Sequence, residues 1–350
     1  MNPISTALLS FGMSGKLFHG PFVHTHPGFR LSAVWERSRN EAAAAYPGIR
    51  TYRTLEEVLA DDDIELVIVN TPNYTHYDYC RQALLAGKHV IVEKPFVTKS
   101  EEGAELISLA EEKGLHLSVY QNRRWDSDFR TVQRVLREGL VGNVVEAAIH
   151  FDRFKTTLSP KPHKEEANGG AGILFDLGPH IIDAALQLFG LPEALFADVR
   201  YLRPGTAVDD QFEILLYYPG LRVRLHSGYF VREPLPSFQL YGDKGTFLKA
   251  RADVQERDLQ EGRLPTDAGW GLEPAGAEGL LVLDNDGVAA PQSVPAEAGD
   301  YTEYFNGIYR SLRESARLPV TAAEGLAVVR IVEAAFRSST EGCRVPLAWS

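Results

Sequence analysis

Short apolar runs alternate with helical patterns through the first third of the chain. Ala7-Leu-Leu-Ser-Phe11 leads into Gly12-Met-Ser-Gly15, and Leu31 to Trp35, Glu65 to Val69, His89 to Val92 and Leu115 to Tyr120 follow as further strand candidates. Brief, nearly continuous apolar runs suit strands buried on both faces, as the strands of a parallel sheet are. Between them lie amphipathic stretches. Thr98-Lys-Ser-Glu101 reads as a capping box opening a helix whose Ala104, Ile107 and Ala110 share one face, with Gly114 as its stop. Gly87 closes the preceding helix in the same way. Strands alternating with helices imply right-handed crossovers and a doubly wound α/β domain.

After Tyr120 the pattern changes. A helix from about Asp126 to Glu138 leads into Val144 to Phe151, where Val145, Ala147, Ile149 and Phe151 alternate with other residues. Leu195 to Tyr201, Phe212 to Tyr218, Leu221 to Tyr229, Phe238 to Tyr241 and Thr246 to Lys249 follow as strands, with tight-turn sequences at Tyr218-Pro-Gly-Leu221 and Gly242-Asp-Lys-Gly245. Consecutive strands joined by turns predict a largely antiparallel sheet, hence a second domain of α+β type. Residues from about Val254 to Asp300 predict a long irregular excursion with a hairpin turn at Asp284-Asn-Asp-Gly287, and a closing helix runs from about Ala322 to Ser338. The division expected is 1–122 and 123–350, with the closing helix packing back toward the first domain.

Composition narrows the function classes. A net charge of −11 over 350 residues, without any basic block, speaks against a nucleic-acid groove. No apolar run reaches the ~20 residues that span a bilayer, and the amino terminus lacks the layout of an export signal. Cys80 and Cys343 stand too far apart in sequence to suggest a disulfide framework or a cysteine-rich metal site, so a cytoplasmic protein is expected.

Three segments carry chemistry. Phe11-Gly-Met-Ser-Gly15 follows the first strand and opens a helix, the setting of a dinucleotide fingerprint, with Ser10 in place of the first glycine. Gly12 lets backbone approach a pyrophosphate, and Gly15 lets helix pack on strand. About 20 residues further on, where such a domain meets the adenosine ribose, stands Trp35-Glu-Arg-Ser-Arg39. Glu36 suits ribose hydroxyls and therefore NAD; Arg37, Ser38 and Arg39 suit a 2′-phosphate, and the positive balance favours NADP. The second segment, His89-Val-Ile-Val-Glu-Lys-Pro95, drives a strand into charge and a proline that ends it, leaving Lys94 at a strand's carboxyl end, where open α/β sheets bind ligands.

The third is Phe175-Asp-Leu-Gly-Pro-His180. If it is helical, Asp176 and His180 lie one turn apart on one face. Asp183 follows another turn along, but a lone triplet without further ligands predicts no metal. Oxidising a secondary alcohol needs a group to take the hydroxyl proton and a positive group for the developing oxyanion. His180 suits the first role and Lys94 the second, with Asp176 orienting; a lysine of lowered pKa is the other choice for the proton.

Gly12-Met-Ser-Gly15, Thr71-Pro-Asn73, Glu93-Lys-Pro95 and Asp176-Leu-Gly-Pro-His180, in this order, resemble the Gfo/Idh/MocA oxidoreductase family over essentially the whole chain. Gly15-Lys-Leu-Phe-His19, Ser118 to Asp126 and Asp176 to Asp183 are similar to its NADP-dependent scyllo-inositol 2-dehydrogenase branch. The resemblance implies an N-terminal Rossmann domain, a C-terminal domain with a large open sheet, and a triad of Lys94, Asp176 and His180. It also implies that Met13, Ser14, Thr71, Pro72, Asn73, His76, Glu93, Lys94 and Asn122 flank the cofactor, and that the Lys94-Pro95 bond is cis. Arg123 and Trp125 are expected near nicotinamide and substrate.

A polyol needs many hydrogen-bonding groups around a small pocket, for which Asn122, Arg123, Trp125, Arg153, Lys155 and His163 are candidates, Arg153 foremost because it follows a predicted strand. The expected activity is NAD(P)-dependent hydride transfer at a secondary alcohol or ketone of an inositol, sugar or related polyol. The rival reading is a regulator of the same fold that binds NAD(P) without turnover. Homodimers or homotetramers through the C-terminal sheet are expected from the resemblance, and an exposed apolar sheet face would favour them.

Overall fold

A computed structural model describes residues 3–161, 164–167, 169–285 and 287–349. The chain forms two compact units, the first made of Met1–Trp125, Val254–Trp270 and Asp300–Leu326, the second of Asp126–Asp253, Gly271–Gly299 and Ala327–Ser350.

The first unit is built on six parallel strands: β1 (Ile4–Leu8), β2 (Phe29–Trp35), β3 (Arg50–Tyr52), β4 (Leu66–Val69), β5 (His89–Glu93) and β6 (Leu117–Tyr120). Their order is β3-β2-β1-β4-β5-β6, so the chain reverses its direction of travel across the sheet between β3 and β4. Ligands of doubly wound sheets bind beyond the carboxyl ends of strands at such a reversal. β4 is buried at every position, as its apolar run requires, and so is β1, which lies at Ile4–Leu8, three residues ahead of the expected Ala7–Phe11 run, and buries the polar Ser5 and Thr6 as well. β6 is buried throughout as well, including Ser118, whose hydroxyl donates to the Val320 carbonyl at 2.7 Å and lies 2.8 Å from the Tyr304 hydroxyl. Its polar residue therefore faces the interior.

The helix after β1 is wound as a π-helix over Gly15–His19 and continues as α-helix over Gly20–Thr25. Pro21 explains the change of winding. It has no N–H to bond the carbonyl four residues back, and its ring would press on that carbonyl, so the preceding turn opens. The helix Ser100–Lys113 begins after Lys99 without any side-chain cap, so the capping box expected at Thr98 does not form. Its buried face is Gly103, Leu106 and Ala110, and Ala104 is exposed. The inward face is shifted because Gly103 packs tightly, a Cβ there coming within 2.9 Å of Leu326 and 3.2 Å of Phe96 and Val97. Gly87 and Gly114 take the left-handed conformation expected after a helix end, with φ of 75° and 64°.

Among its described residues the second unit contains nine strands: β7 (Val144–His150), β8 (Ala194–Arg200), β9 (Gln211–Tyr218), β10 (Leu221–Gly228), β11 (Phe238–Gly242), β12 (Gly245–Lys249), β13 (Gly279–Asn285), β14 (Val288–Val294) and β15 (Val345–Pro346). Their order is β14-β13-β12-β11-β7-β10-β9-β8-β15. All pairs are antiparallel except β7 with β10. One face carries the core, with Ala147, Ile149, Phe212, Ile214, Leu216, Val223, Leu225, Leu240 and Phe247 packed against Leu174, Ile181, Ile182, Ile331 and Val332. Val145, expected on the inward face, is 54% exposed because the pairing of β7 with β11 slips at Gly242.

The stretch from 254 to 300 is more ordered than its composition predicts. It holds a helix at Val254–Gln260 and the β13–β14 hairpin, whose last pair is Asn285 with Val288; residue 286 of the turn expected at 284–287 lies outside the described residues. A helix at Thr302–Glu314 was not evident from the sequence pattern. The closing helix spans Ala322–Glu341. Among the described residues no helix is long and apolar enough to cross a membrane.

Candidate functional site

The carboxyl ends of β1, β2 and β4 in the first unit surround a cavity of about 560 Å³. Leu9, Ser10, Phe11 and Gly12 line it from β1, Trp35, Glu36, Arg37, Ser38 and Arg39 from β2, and Thr71, Pro72, Tyr74, Thr75 and Tyr79 from β4. The candidates Gly12, Glu36, Arg37, Ser38, Thr71 and Pro72 are thus brought to one place. Gly15 acts behind the lining. A Cβ on it would lie 2.3 Å from the Ser10 carbonyl oxygen and 3.0 Å from Asn70 Nδ2, so only a glycine lets the helix approach so closely. Ser10, at the first glycine position, places its hydroxyl 3.3 Å from the Gly12 N–H, which donates to it.

The β2 edge shows how its charges divide. Glu36 is 7% exposed, and its two oxygens accept hydrogen bonds from the Glu41 and Ala42 N–H groups at 3.2 and 3.1 Å. Its carboxylate therefore caps the helix Glu41–Ala45, a favourable place for negative charge. Arg37, Ser38 and Arg39 are exposed around it. Arg53 braces this loop, donating to the carbonyls of Glu36 and Arg39 at 2.7 and 2.6 Å and to Asn40 Oδ1 at 2.6 Å. Trp35 meets Tyr79 edge-on at 5.5 Å between ring centroids. Sequence reading missed Arg53 and Tyr79, since only tertiary packing brings the end of strand β3 and the helix His76–Leu85 to this loop, and it missed Tyr74 beside the candidate Asn73 in the turn Asn73–Thr75.

The end of β5 is organised by Glu93. Its Oε1 accepts a hydrogen bond from the Ser14 hydroxyl and lies 2.9 Å from His19 Nε2, and its Oε2 accepts from the Lys94 N–H at 3.2 Å. Burial opposes the charge, but the hydrogen bond and charge of His19, the Ser14 hydroxyl and the Lys94 ammonium outweigh it and hold the pKa at about 2. Ser14 and Glu93, both expected beside the cofactor, thus face each other and pin the first helix to the end of β5. The Lys94-Pro95 bond is cis, and Lys94 is half-buried. His76 is fully buried, its Nδ1 2.8 Å from the Pro95 carbonyl and its Nε2 3.0 Å from the Thr71 carbonyl. It ties the ends of β4 and β5 together, and burial lowers its pKa. Met13 is 60% exposed. Asn122 is buried, Arg123 is paired with Glu256 at 2.9 Å, and the Trp125 ring meets Tyr304 at 5.7 Å. Asn73 lies in the short 3-10 turn Asn73–Thr75.

In the second unit, Asp176 ends the short helix Ile173–Asp176 and His180 lies in the first turn of Gly178–Phe189. The single helix expected across both residues is broken at Leu177. Pro179 cannot donate to the carbonyl of Phe175, which ends the regular bonding there. The Asp176 carboxylate is 42% exposed and lies 3.6 Å from Lys164 Nζ. His180 is 9% exposed, its ring 5.9 Å from that of Phe151. Asp209 holds the segment by accepting from the Leu174 N–H at 2.7 Å, and burial raises its pKa to about 6. Arg153 is exposed, its guanidinium 4.7 Å from the Phe151 ring centre, and Lys155 reaches over Tyr229 at 5.8 Å. His163 lies outside the described residues.

Residues 4–121 match the model of an oxidoreductase family with an NAD-binding Rossmann fold, and 133–347 match that family's C-terminal alpha/beta domain. The chain belongs to this Gfo/Idh/MocA oxidoreductase family. A Bacillus subtilis relative named scyllo-inositol 2-dehydrogenase (NADP(+)) IolW is 37% identical over 341 residues, covering 97% of this chain and 95% of its own. The solved structure of Bacillus subtilis yvaA superposes with a TM-score of 0.96 at 36% identity, covering 99% of each chain. An oxidoreductase from Bacillus cereus gives 0.89 at 32% identity, again covering 99% of each. The NAD-binding fold of the family fits the residues present. Gly12 leaves bare backbone at the rim of the cavity, and the buried Asn70 Oδ1 beside Gly15 has no hydrogen-bond partner within the protein.

Proposed function

We propose that this Gfo/Idh/MocA oxidoreductase is an NADP-dependent dehydrogenase that transfers a hydride between nicotinamide and a secondary alcohol or ketone of an inositol, sugar or related polyol. The observation that carries the cofactor reading is the β2 edge. Glu36 is engaged by two backbone N–H groups while Arg37, Ser38 and Arg39 line the cavity. A 2′-phosphate meets positive charge and a hydroxyl there, while the Glu36 carboxylate is turned to the N–H groups at a helix start. The NADP-dependent activity named for the 37% identical relative supports the same reading.

Bound NADP supplies the hydride acceptor, or the donor in the reverse direction. Lys94, at the carboxyl end of β5, holds the alcohol oxygen and stabilises negative charge on it as the C–H bond breaks. His180 takes the hydroxyl proton and Asp176 hydrogen-bonds the substrate and orients it. Glu93 fixes the backbone from which Lys94 projects. The exposed Phe196 and Leu280 of the nine-stranded sheet support pairing of chains through that sheet.

The test is a screen of inositols and aldoses with NADP and NAD side by side, reading reduced-cofactor absorbance. Turnover that is faster with NADP, and that falls ~10²–10⁴-fold in Lys94→Ala and in His180→Ala, is the expected result. Cofactor binding without turnover on any substrate, unchanged in Lys94→Ala, would replace the enzyme with a cofactor-binding regulator.

A further inference from the structure

The second unit carries a group of side chains that hydride transfer does not use. β7 and β10 pair in parallel with His150 opposite His226. Their neighbours Ile149 and Leu225 belong to the core, so strand alternation turns both histidines to the other face of the sheet. Asp152 follows β7 and reaches the same spot. Its Oδ1 lies 2.9 Å from His226 Nδ1 and its Oδ2 3.4 Å from His150 Nδ1. One ligand atom from each residue lies within 4.8 Å of the other two.

We propose that His150, Asp152 and His226 form a binding site for a divalent d-block cation, with zinc the best-matched ion. Two imidazole nitrogens and one carboxylate oxygen are a borderline-soft donor set, and three protein ligands leave a fourth position for water. Donors bound to zinc at their usual lengths stand about 3.3 Å apart in a tetrahedron. Asp152 already stands 2.9 Å from His226 through Oδ1 and 3.4 Å from His150 through Oδ2, and one ligand atom of each residue lies within 4.8 Å of the others, so rotation of the carboxylate and the rings brings a single oxygen and both nitrogens to that spacing.

The side chains are withdrawn from solvent, at 11% exposure for His150, 3% for Asp152 and 18% for His226. His150 Nδ1 is buried and faces Asp152 Oδ2 at 3.4 Å without a well-aligned hydrogen bond, which leaves room for a further partner at that nitrogen. Asp152 is held by the Gly228 N–H, which donates to Oδ1 at 3.1 Å, so the central ligand is already oriented. The outer support is present too. With Nδ1 on a metal, His226 carries its proton on Nε2, and the Gln211 carboxamide lies 3.4 Å from that nitrogen. An amide rotated to present its oxygen accepts that proton and fixes the ring.

The test uses the full chain carrying Cys343→Ser, which removes the exposed thiol, after chelator treatment. Zinc retained after gel filtration should reach one equivalent per chain, and cobalt(II) should give the visible absorption of a low-coordinate N/O site. His150→Ala and His226→Gln should each weaken zinc binding ~10–100-fold with unchanged circular dichroism, and Asp152→Asn should do the same. Failure to retain zinc or cobalt overturns the proposal. So does binding that survives His150→Ala and His226→Gln intact, or binding that is lost only in His180→Ala. Because the readout is bound metal, it is independent of whether the dehydrogenase reading holds.

Discussion

Replacing Glu93 by glutamine removes one buried charge and leaves its shape. In the unfolded chain this carboxyl titrates near 4.5 and in the folded protein at about 2. A carboxyl depressed by folding adds stability above its unfolded pKa and loses it as pH falls toward the folded value. The gap corresponds to about 3 kcal/mol at pH 7, of which about 2 kcal/mol is gone by pH 3. The side chain is 14% exposed, so solvent screening removes little of this. Glutamine still accepts one hydrogen bond but has no charge to titrate. Glu93→Gln should therefore lower the stability of the first unit by about 3 kcal/mol at pH 7 and by only about 1 kcal/mol at pH 3. Trp35, Trp125 and Trp270 lie in that unit and Trp349 in the other. Urea unfolding followed by tryptophan emission in a Trp349→Phe background reads the first unit. All other carboxyls titrate equally in both proteins, so the difference isolates Glu93. A gap between them that stays constant from pH 7 to pH 3 refutes the assigned network of Ser14, His19 and Lys94.

Three further outcomes are expected. Arg37→Ala combined with Arg39→Ala should weaken NADP binding ~10–100-fold in a fluorescence titration while NAD binding changes little, because each lost charge-assisted contact is worth about 1.5–3 kcal/mol less competition from water. Gly15→Ala should destabilise the first unit by ~1–3 kcal/mol and weaken cofactor binding, since the added methyl meets the Ser10 carbonyl at 2.3 Å; unchanged unfolding would contradict the packing described. Lys249, 1% exposed, bonds Glu273 Oε2 at 2.6 Å and the Ala277 carbonyl at 2.7 Å. Lys249→Met alone should cost ~3–5 kcal/mol by stranding the buried Glu273 charge, and adding Glu273→Leu should restore most of it, as read by thermal unfolding.

Local order was legible where the signal lies within a few residues. The apolar runs of β4 and β5 read as buried strands, the run Ala7–Phe11 pointed to a strand that forms three residues earlier, and Gly87 and Gly114 mark helix ends because a left-handed residue is needed there. The capping box at Thr98 misled, because packing of Gly103 against Phe96 and Leu326 decided the helix face over local capping. The broken helix at Leu177 was also readable in principle, since Pro179 alone forbids continuity. The helix Thr302–Glu314 and the role of Arg53 were not, because their partners lie far away in sequence.

The sequence by itself determined the alternating first unit, the antiparallel second one and the candidate chemistry at Gly12, Lys94 and His180, since periodicity and residue type are properties of neighbours along the chain. Tertiary structure alone decided how each polar group is used. Glu36 became a helix cap, Glu93 a pin between Ser14 and His19, and His150 the neighbour of His226. The physical reason is that a charge or a ring takes its role from the groups around it, and those groups are brought together only when distant strands pair.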